Sequence, residues 1–288
     1  MTVFLLWVKA SRPQTLIASV APILVGARNF FGNHELNYLS MIVLSGCFAF
    51  ITLIQISTNL ANDYFDSKTG ADRFRENAPE RLVSSGKIKG KEVLIVVICL
   101  LTLSFFVGLL TLYISSSTIW FLPLGIGCIA LSILYTAGPY PLAYNGLGDV
   151  FVIIFFGFVA VEGTSYFLSS ANCVPYQPNW GSALSVGLLI NNLLVVNNYR
   201  DYESDSRVGK NTTIVMFGKR FGLFLFLLGF LVPVFYGYVT EKFLTFFILI
   251  TSMISFKFLL GSDVLKNAKL TLSLSAASVL IFSICWLF

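Results

Sequence analysis

The sequence predicts an all-α, polytopic membrane protein, on three observations. It is 56% hydrophobic and 11% charged, with a mean hydropathy of +0.82, where a soluble domain carries about 25% charged residues. Apolar runs near the ~20 residues needed to cross a bilayer recur along the whole length. The charges are gathered into a few polar connections instead of being spread along the chain.

In order along the chain, residues 2–10 form a short interfacial helix with Lys9 and Arg12 at its polar edge. Lys9, Arg12 and Pro13 also interrupt the apolar region that a cleavable signal would need. About nine spans follow on hydropathy, near 14–32, 39–61, 93–113, 118–137, 147–169, 181–198, 221–240, 243–261 and 270–288. They make one domain, residues 1–288, with pseudo-repeat halves at roughly 10–137 and 147–261.

Bases sort by side. Lys9 and Arg12 precede the first span, Lys68 to Lys91 lie between the second and third, and Arg200 to Arg220 lie between the sixth and seventh. Lys257, Lys266 and Lys269 flank the join of the last two, and only Arg28 and Lys242 fall on the opposite side. The positive-inside rule therefore places the N-terminus and both large loops in the cytoplasm and the C-terminus outside, across a cell inner membrane. Lys89, Lys91, Lys219 and Arg220 read as topology and headgroup charges.

Cys47, Cys99, Cys128 and Cys285 lie inside apolar runs, Cys173 stands alone in a loop, and no Cys-x-x-Cys occurs. With His34 the only histidine, thiolate or imidazole metal sites and a histidine general base are not expected.

The chemistry is expected in the loops. The stretch "NLANDYFDSKTGADRFRENAPERLVSSGKIKGKE" holds six acids and seven bases where a long apolar run meets water. On a helix Asn62, Asp63 and Asp66 share a face, and Asn197, Asp201 and Asp205 repeat the pattern at i, i+4 and i+8. Asp72, Glu76, Glu80 and Glu92 read as solvated loop. Hard oxygen clusters suit Mg²⁺, which keeps several waters and bridges a few carboxylates to phosphate. Arg73, Arg81, Lys87, Arg200 and Lys210 are placed to neutralise phosphate oxygens. Carboxylates, bases and apolar walls together suit a lipid diphosphate. A third connection, "YTAGPYPLAYNGLGD", is broken by Pro139 and Pro141 and offers Tyr135 and Tyr140.

"NDYFDSKTGAD", "RLVSSGKI", "YTAGPYPLAYNGLGD" and "NNYRDYESDSRVGKNT" together resemble the UbiA superfamily of intramembrane prenyltransferases. They are most similar to its branch that uses 1,4-dihydroxy-2-naphthoate in menaquinone synthesis. The resemblance implies a nine-helix bundle around a central cavity, open laterally to lipid and capped on the cytoplasmic side. It puts the first metal motif on Asn62, Asp63 and Asp66, and the second on Asp201 and Asp205 with Asn197 before them. The superfamily's usual third acid would fall on Gly70; Asp72 is the nearest here.

The reaction so implied is Mg²⁺-dependent. Asp66, Asp201, Arg81 and Lys210 draw charge onto the leaving diphosphate of a polyprenyl donor. Arg12, Tyr135 and Tyr140 receive the aromatic acceptor. No protein partner or nucleic acid is implied. A sibling enzyme using 4-hydroxybenzoate, haem or a chlorin, and a secondary transporter, are the alternatives; prenyl length stays open. Glu162 lies inside the fifth span with no family role. An intramembrane acid is a functional candidate by default.

Overall fold

The computed structural model describes residues 3–70, 82–261 and 264–287. Among them the regular elements are helical, and the extended pairing is one isolated bridge between Asn145 and Asn211. Seven of the described helices are long and apolar enough to cross a membrane. This is a multi-pass membrane protein.

The chain opens with α1 (Val3–Ala10) and a tight 3-10 turn (Pro13–Thr15) leading into α2 (Ile17–Phe31). Then come α3 (Tyr38–Thr69), α4 (Gly90–Ile114) and α5 (Phe121–Leu134). The helices α2 and α5 stand where the first and fourth spans were expected, but hold 15 and 14 residues. At 1.5 Å per residue each is about 22 Å long or less, short of an about 30 Å hydrocarbon core. The expected nine full-length spans are thus seven by length among the described residues, with two shorter apolar helices beside them.

By the same rise α3, with 32 residues, is about 48 Å long, so its last turns stand clear of the apolar slab. Asn37 caps its start by accepting from the Ser40 amide at 2.8 Å. Gly70, left-handed at φ 74°, ends it.

The next span runs through α6 (Gly148–Val152), a π-helical stretch (Ile153–Glu162) and α7 (Gly163–Ala171). It crosses α8 (Trp180–Arg200) at a pair of glycines. A Cβ on Gly157 would lie 2.5 Å from the Ala183 carbonyl oxygen, and one on Gly187 2.7 Å from that of Ile153. Two glycines let the backbones meet there. After α8 come α9 (Tyr202–Arg207), α10 (Thr213–Phe217), α11 (Lys219–Val239), α12 (Phe247–Leu260) and α13 (Val264–Leu287).

Three buried clusters hold the bundle. The largest joins α2, α8, α11, α12 and α13 around Phe226, Phe230, Phe282 and Trp286. A second packs α1, α3 and α4 with Leu82 and Ile88, so the polar loop after α3 has its own apolar anchor. The third joins α2, α3 and α7 through Phe30, Val43 and Leu168. The side chains Phe4, Leu5 and Val8 of α1 are exposed, as an interfacial helix requires.

Candidate active site

The projecting end of α3 and the end of α8 bring the two acidic motifs to one end of a cavity. At α3, Asp66 accepts a hydrogen bond from the Tyr144 hydroxyl at 2.8 Å. Asn62 accepts one from Thr136 at 2.7 Å. Asp63 does something different from the shared-face expectation: it accepts from the amides of Leu82 at 3.1 Å and Val83 at 3.4 Å. One carboxylate thus pins the returning loop, while the other faces the connection that follows α5.

The helix carrying the second motif is broken, not continuous. Asp201 (φ −90°, ψ 9°) ends α8 and begins α9, although the Asp205 amide still reaches the Asp201 carbonyl at 2.8 Å. Arg200 donates to both Asp201 oxygens, at 2.6 and 2.7 Å, so its guanidinium serves its own neighbour. Lys210 pairs with Asp205 at 3.5 Å. Its ammonium also lies 5.5 Å from the centre of the Tyr144 ring. Tyr144 therefore joins both motifs, its hydroxyl on Asp66 and its ring beneath the lysine that holds Asp205.

The backbone zips the same region together. The Asn211 amide donates to the Tyr144 carbonyl at 3.1 Å, and Ala143 donates to that of Tyr135 at 2.9 Å. Behind this, buried Asp149 at the start of α6 accepts from Asn191 of α8 at 3.0 Å and from Thr213 of α10. The loop bearing Lys210 is thus tied to α6 and α8. Neither Tyr144 nor Asp149 stands out in the sequence. Three tyrosines share the connection "YTAGPYPLAYNGLGD", and no spacing rule separates them.

The cavity has a volume of about 360 Å³. Arg12, Asn59, Asn62, Tyr135 and Asn197 line its polar end, and Phe50, Ile54, Phe121, Leu124, Phe151 and Phe155 are among its apolar walls. Its walls come from α3, α4, α5 and the span from α6 through the π-helical stretch to α7, with α2 and α8 completing them. Of the candidates the sequence offers, Arg12, Tyr135, Asn62 and Asn197 line this cavity. Tyr140 does not: it is 60% exposed, because Gly138 turns the chain outward there (φ 91°). Lys87 sits exposed on the turn that Asp63 anchors. Arg73, Arg81 and Asp72 lie outside the described residues.

Asp66 is 2% exposed and Asp205 1%, beside Lys210 at 9%. Burying carboxylates is costly unless they are paired or hold a cation. The donors are oxygen only, and among the described residues no three acidic, histidine or cysteine side chains close into a cage. Magnesium fits that set, since it keeps several waters and completes its shell with substrate phosphate. Zinc, which wants three or four nitrogen or sulfur ligands, does not.

Glu162, at the far end of the π-helical stretch, has no part in this site. It accepts from the Tyr176 hydroxyl at 2.6 Å and from the Asn179 amide at 3.1 Å. Asn179 in turn accepts from Tyr236 and from the Ser182 amide. Burial, with the Glu162 carboxylate next, pushes the Tyr176 phenol well above its ordinary range. The intramembrane acid is the hub of a polar knot joining α7, α8 and α11.

Two polar helix ends over an apolar cavity match a known pattern. The UbiA prenyltransferase family model fits residues 19–284. The chain belongs to this family.

Over 222 residues it is 36% identical to the 1,4-dihydroxy-2-naphthoate octaprenyltransferase of Haemophilus influenzae, covering 74% of this chain and 69% of that protein. Its fold is similar to that of a UbiA homolog from Aeropyrum pernix K1, with a TM-score of 0.69 at 15% identity over 95% of this chain and 97% of that one. A UbiA homolog from Archaeoglobus fulgidus, solved with DMAPP and Mg²⁺ bound, gives a TM-score of 0.57 at 16% identity over 96% and 99% of the two chains. The likeness to the structures is one of fold.

Proposed function

We propose that this UbiA-family protein transfers a polyprenyl group from its diphosphate to 1,4-dihydroxy-2-naphthoate, releasing diphosphate and CO₂ and giving demethylmenaquinol. The observation that carries the reading is the chain Asp66–Tyr144–Lys210–Asp205 beside an apolar cavity. The naphthoate acceptor is supported by the 36% identity to the Haemophilus influenzae protein of that name.

Asp66 and Asp205, with Asn62, Asp63, Asn197 and Asp201 around them, are the residues that would hold magnesium, and the ion supplies positive charge to the departing diphosphate. Lys210 adds its ammonium, Arg73, Arg81 and Lys87 complete the basic surround in this reading, and Arg200 holds Asp201 in place. The allylic C–O bond breaks with its electron pair leaving on diphosphate. Phe and Ile walls exclude water from the cation left behind, and Tyr135, which lines the same cavity, offers an aromatic face to it in this reading. The ring carbon bearing the carboxylate attacks. The C–C bond to that carboxylate then breaks, its electron pair restores the aromatic ring, and CO₂ departs. No strong base is needed at that carbon. The site faces the cytoplasm of a cell inner membrane, with the N-terminus on the same side.

Reconstituted protein given a carboxyl-¹⁴C acceptor and a polyprenyl diphosphate releases labelled CO₂ in step with product. Product that keeps the label, or turnover of 4-hydroxybenzoate alone, would overturn the acceptor and leave the prenyltransferase standing.

A further inference from the structure

Arg12 has a backbone conformation that a residue with a Cβ rarely adopts, φ 52° and ψ 67°, at the junction of α1 and the turn Pro13–Thr15. Such outliers persist only where their surroundings enforce them, and they gather at ligand sites. Backbone bonds from the Arg12 amide to the Lys9 carbonyl and from the Thr15 amide to the Arg12 carbonyl close the turn, and one side chain on α3 ties it to the bundle. Asn59 is 4% exposed, and its amide nitrogen donates to the Ser11 carbonyl and to the Thr15 hydroxyl, both at 2.9 Å. The Thr15 hydroxyl donates onward to the Arg12 carbonyl at 2.9 Å. The chain is therefore gripped on both sides of Arg12. Arg12, Thr15, Asn59 and Asn62 all line the polar end of the same cavity.

Asn59 lies one turn before the first motif, and its amide nitrogen donates to the Arg12 turn instead of to that motif. We propose that Asn59 is a positioning residue: it clamps the left-handed turn so that the Arg12 guanidinium meets the carboxylate of the aromatic acceptor. This rests on the reading of the cavity as an aromatic-acceptor site. The ligand chemistry is an aryl carboxylate, for which a planar guanidinium is the matching group.

The test separates the two substrates. In full-length protein in lipid, Asn59→Ala raises KM for 1,4-dihydroxy-2-naphthoate about tenfold or more, the factor for a misplaced charge-assisted pair, and leaves KM for the polyprenyl diphosphate unchanged. Inhibition by 1,4-dihydroxynaphthalene, which lacks the carboxylate, is the same in Asn59→Ala and wild type. Arg12→Gly removes both the strain and the guanidinium; it gives the same acceptor penalty, and adding Asn59→Ala to it raises the acceptor KM no further. Thr15→Val, which cuts the relay without touching α3, shifts the acceptor KM in the same direction and covers the case of an unstable Asn59→Ala. An unmoved acceptor KM, equal rises in both KM values, or an equal loss of 1,4-dihydroxynaphthalene inhibition overturns the clamp while wild-type turnover persists. Absence of wild-type turnover with any carboxylated aromatic acceptor overturns the cavity reading first, and the clamp with it.

Discussion

Removing a single oxygen atom tests whether the two acidic motifs act as one site. Tyr144→Phe keeps the ring beneath Lys210 and deletes the hydroxyl that donates to Asp66 at 2.8 Å. A hydrogen bond to a charged group is worth about 1.5–3 kcal/mol. Asp66 is 2% exposed, so solvent does not replace that donor readily. If the bond holds the carboxylate in its productive orientation, the loss appears as a fall of about 10- to 150-fold in kcat/KM. Tyr144→Ala also removes the ring 5.5 Å from the Lys210 ammonium. A partly buried cation–π contact contributes about 0.5–2 kcal/mol, so a further fall of roughly 2- to 30-fold is expected. The assay is prenyl transfer in proteoliposomes across a Mg²⁺ titration, with the midpoint expected to move to higher Mg²⁺ in both variants. Wild-type kcat/KM and an unshifted midpoint in Tyr144→Phe would refute the coupling of the motifs through this residue.

Chelation with EDTA abolishes turnover and Mg²⁺ restores it; Asp66→Ala and Asp201→Ala each cost at least ~100-fold, and full activity in either would remove that residue from the site. Single-cysteine labelling in a cysteine-free background reaches Glu76→Cys and Ser206→Cys only from the cytoplasm and Pro175→Cys only from outside; labelling of the first two from opposite faces would rule out a shared site. Glu162→Ala leaves the Tyr176 hydroxyl and Asn179 amide without their acceptor, so thermal unfolding in detergent shows a loss of about 2–4 kcal/mol with the Mg²⁺ midpoint unchanged. A shifted midpoint would give Glu162 a part in the metal site.

Hydropathy found the helices because a bilayer asks one simple question of a sequence, namely where enough apolar residues run together. It overestimated α2 and α5 because it measures polarity, and what ends them is backbone geometry and packing. Asn62, Asp66 and Asp205 stand out as candidates for a similar reason: acids and amides at the mouths of apolar runs are expensive, so their recurrence at helical spacing carries information. Spacing could not say which carboxylate of a pair would also anchor the returning chain. Asp63 and Asp66 look equivalent along α3, and only the return of the chain at Leu82 and Val83 makes Asp63 a loop anchor.

The same limit explains Tyr144 and Asn59. Each acts through contacts with residues far away in sequence: Tyr144 with Asp66 and Lys210, Asn59 with Ser11 and Thr15. Neither partner set follows any helical or turn period. Tyr140 and Tyr144 are both aromatic residues in one short connection, yet the turn at Gly138 sends the first outward, while the bridge from Asn145 to Asn211 holds the second between the motifs. The broken helix at Asp201 shows the cost of reading period alone. An unbroken i, i+4, i+8 helix would carry Asp205 straight on from α8. The bend at Asp201 begins α9 instead, and the loop after it brings Lys210 back onto Asp205 and over Tyr144. The bend itself is local, for the Asp205 amide still reaches the Asp201 carbonyl at 2.8 Å; it is the ion pair with Lys210 that ties Asp205 toward Tyr144 and Asp66.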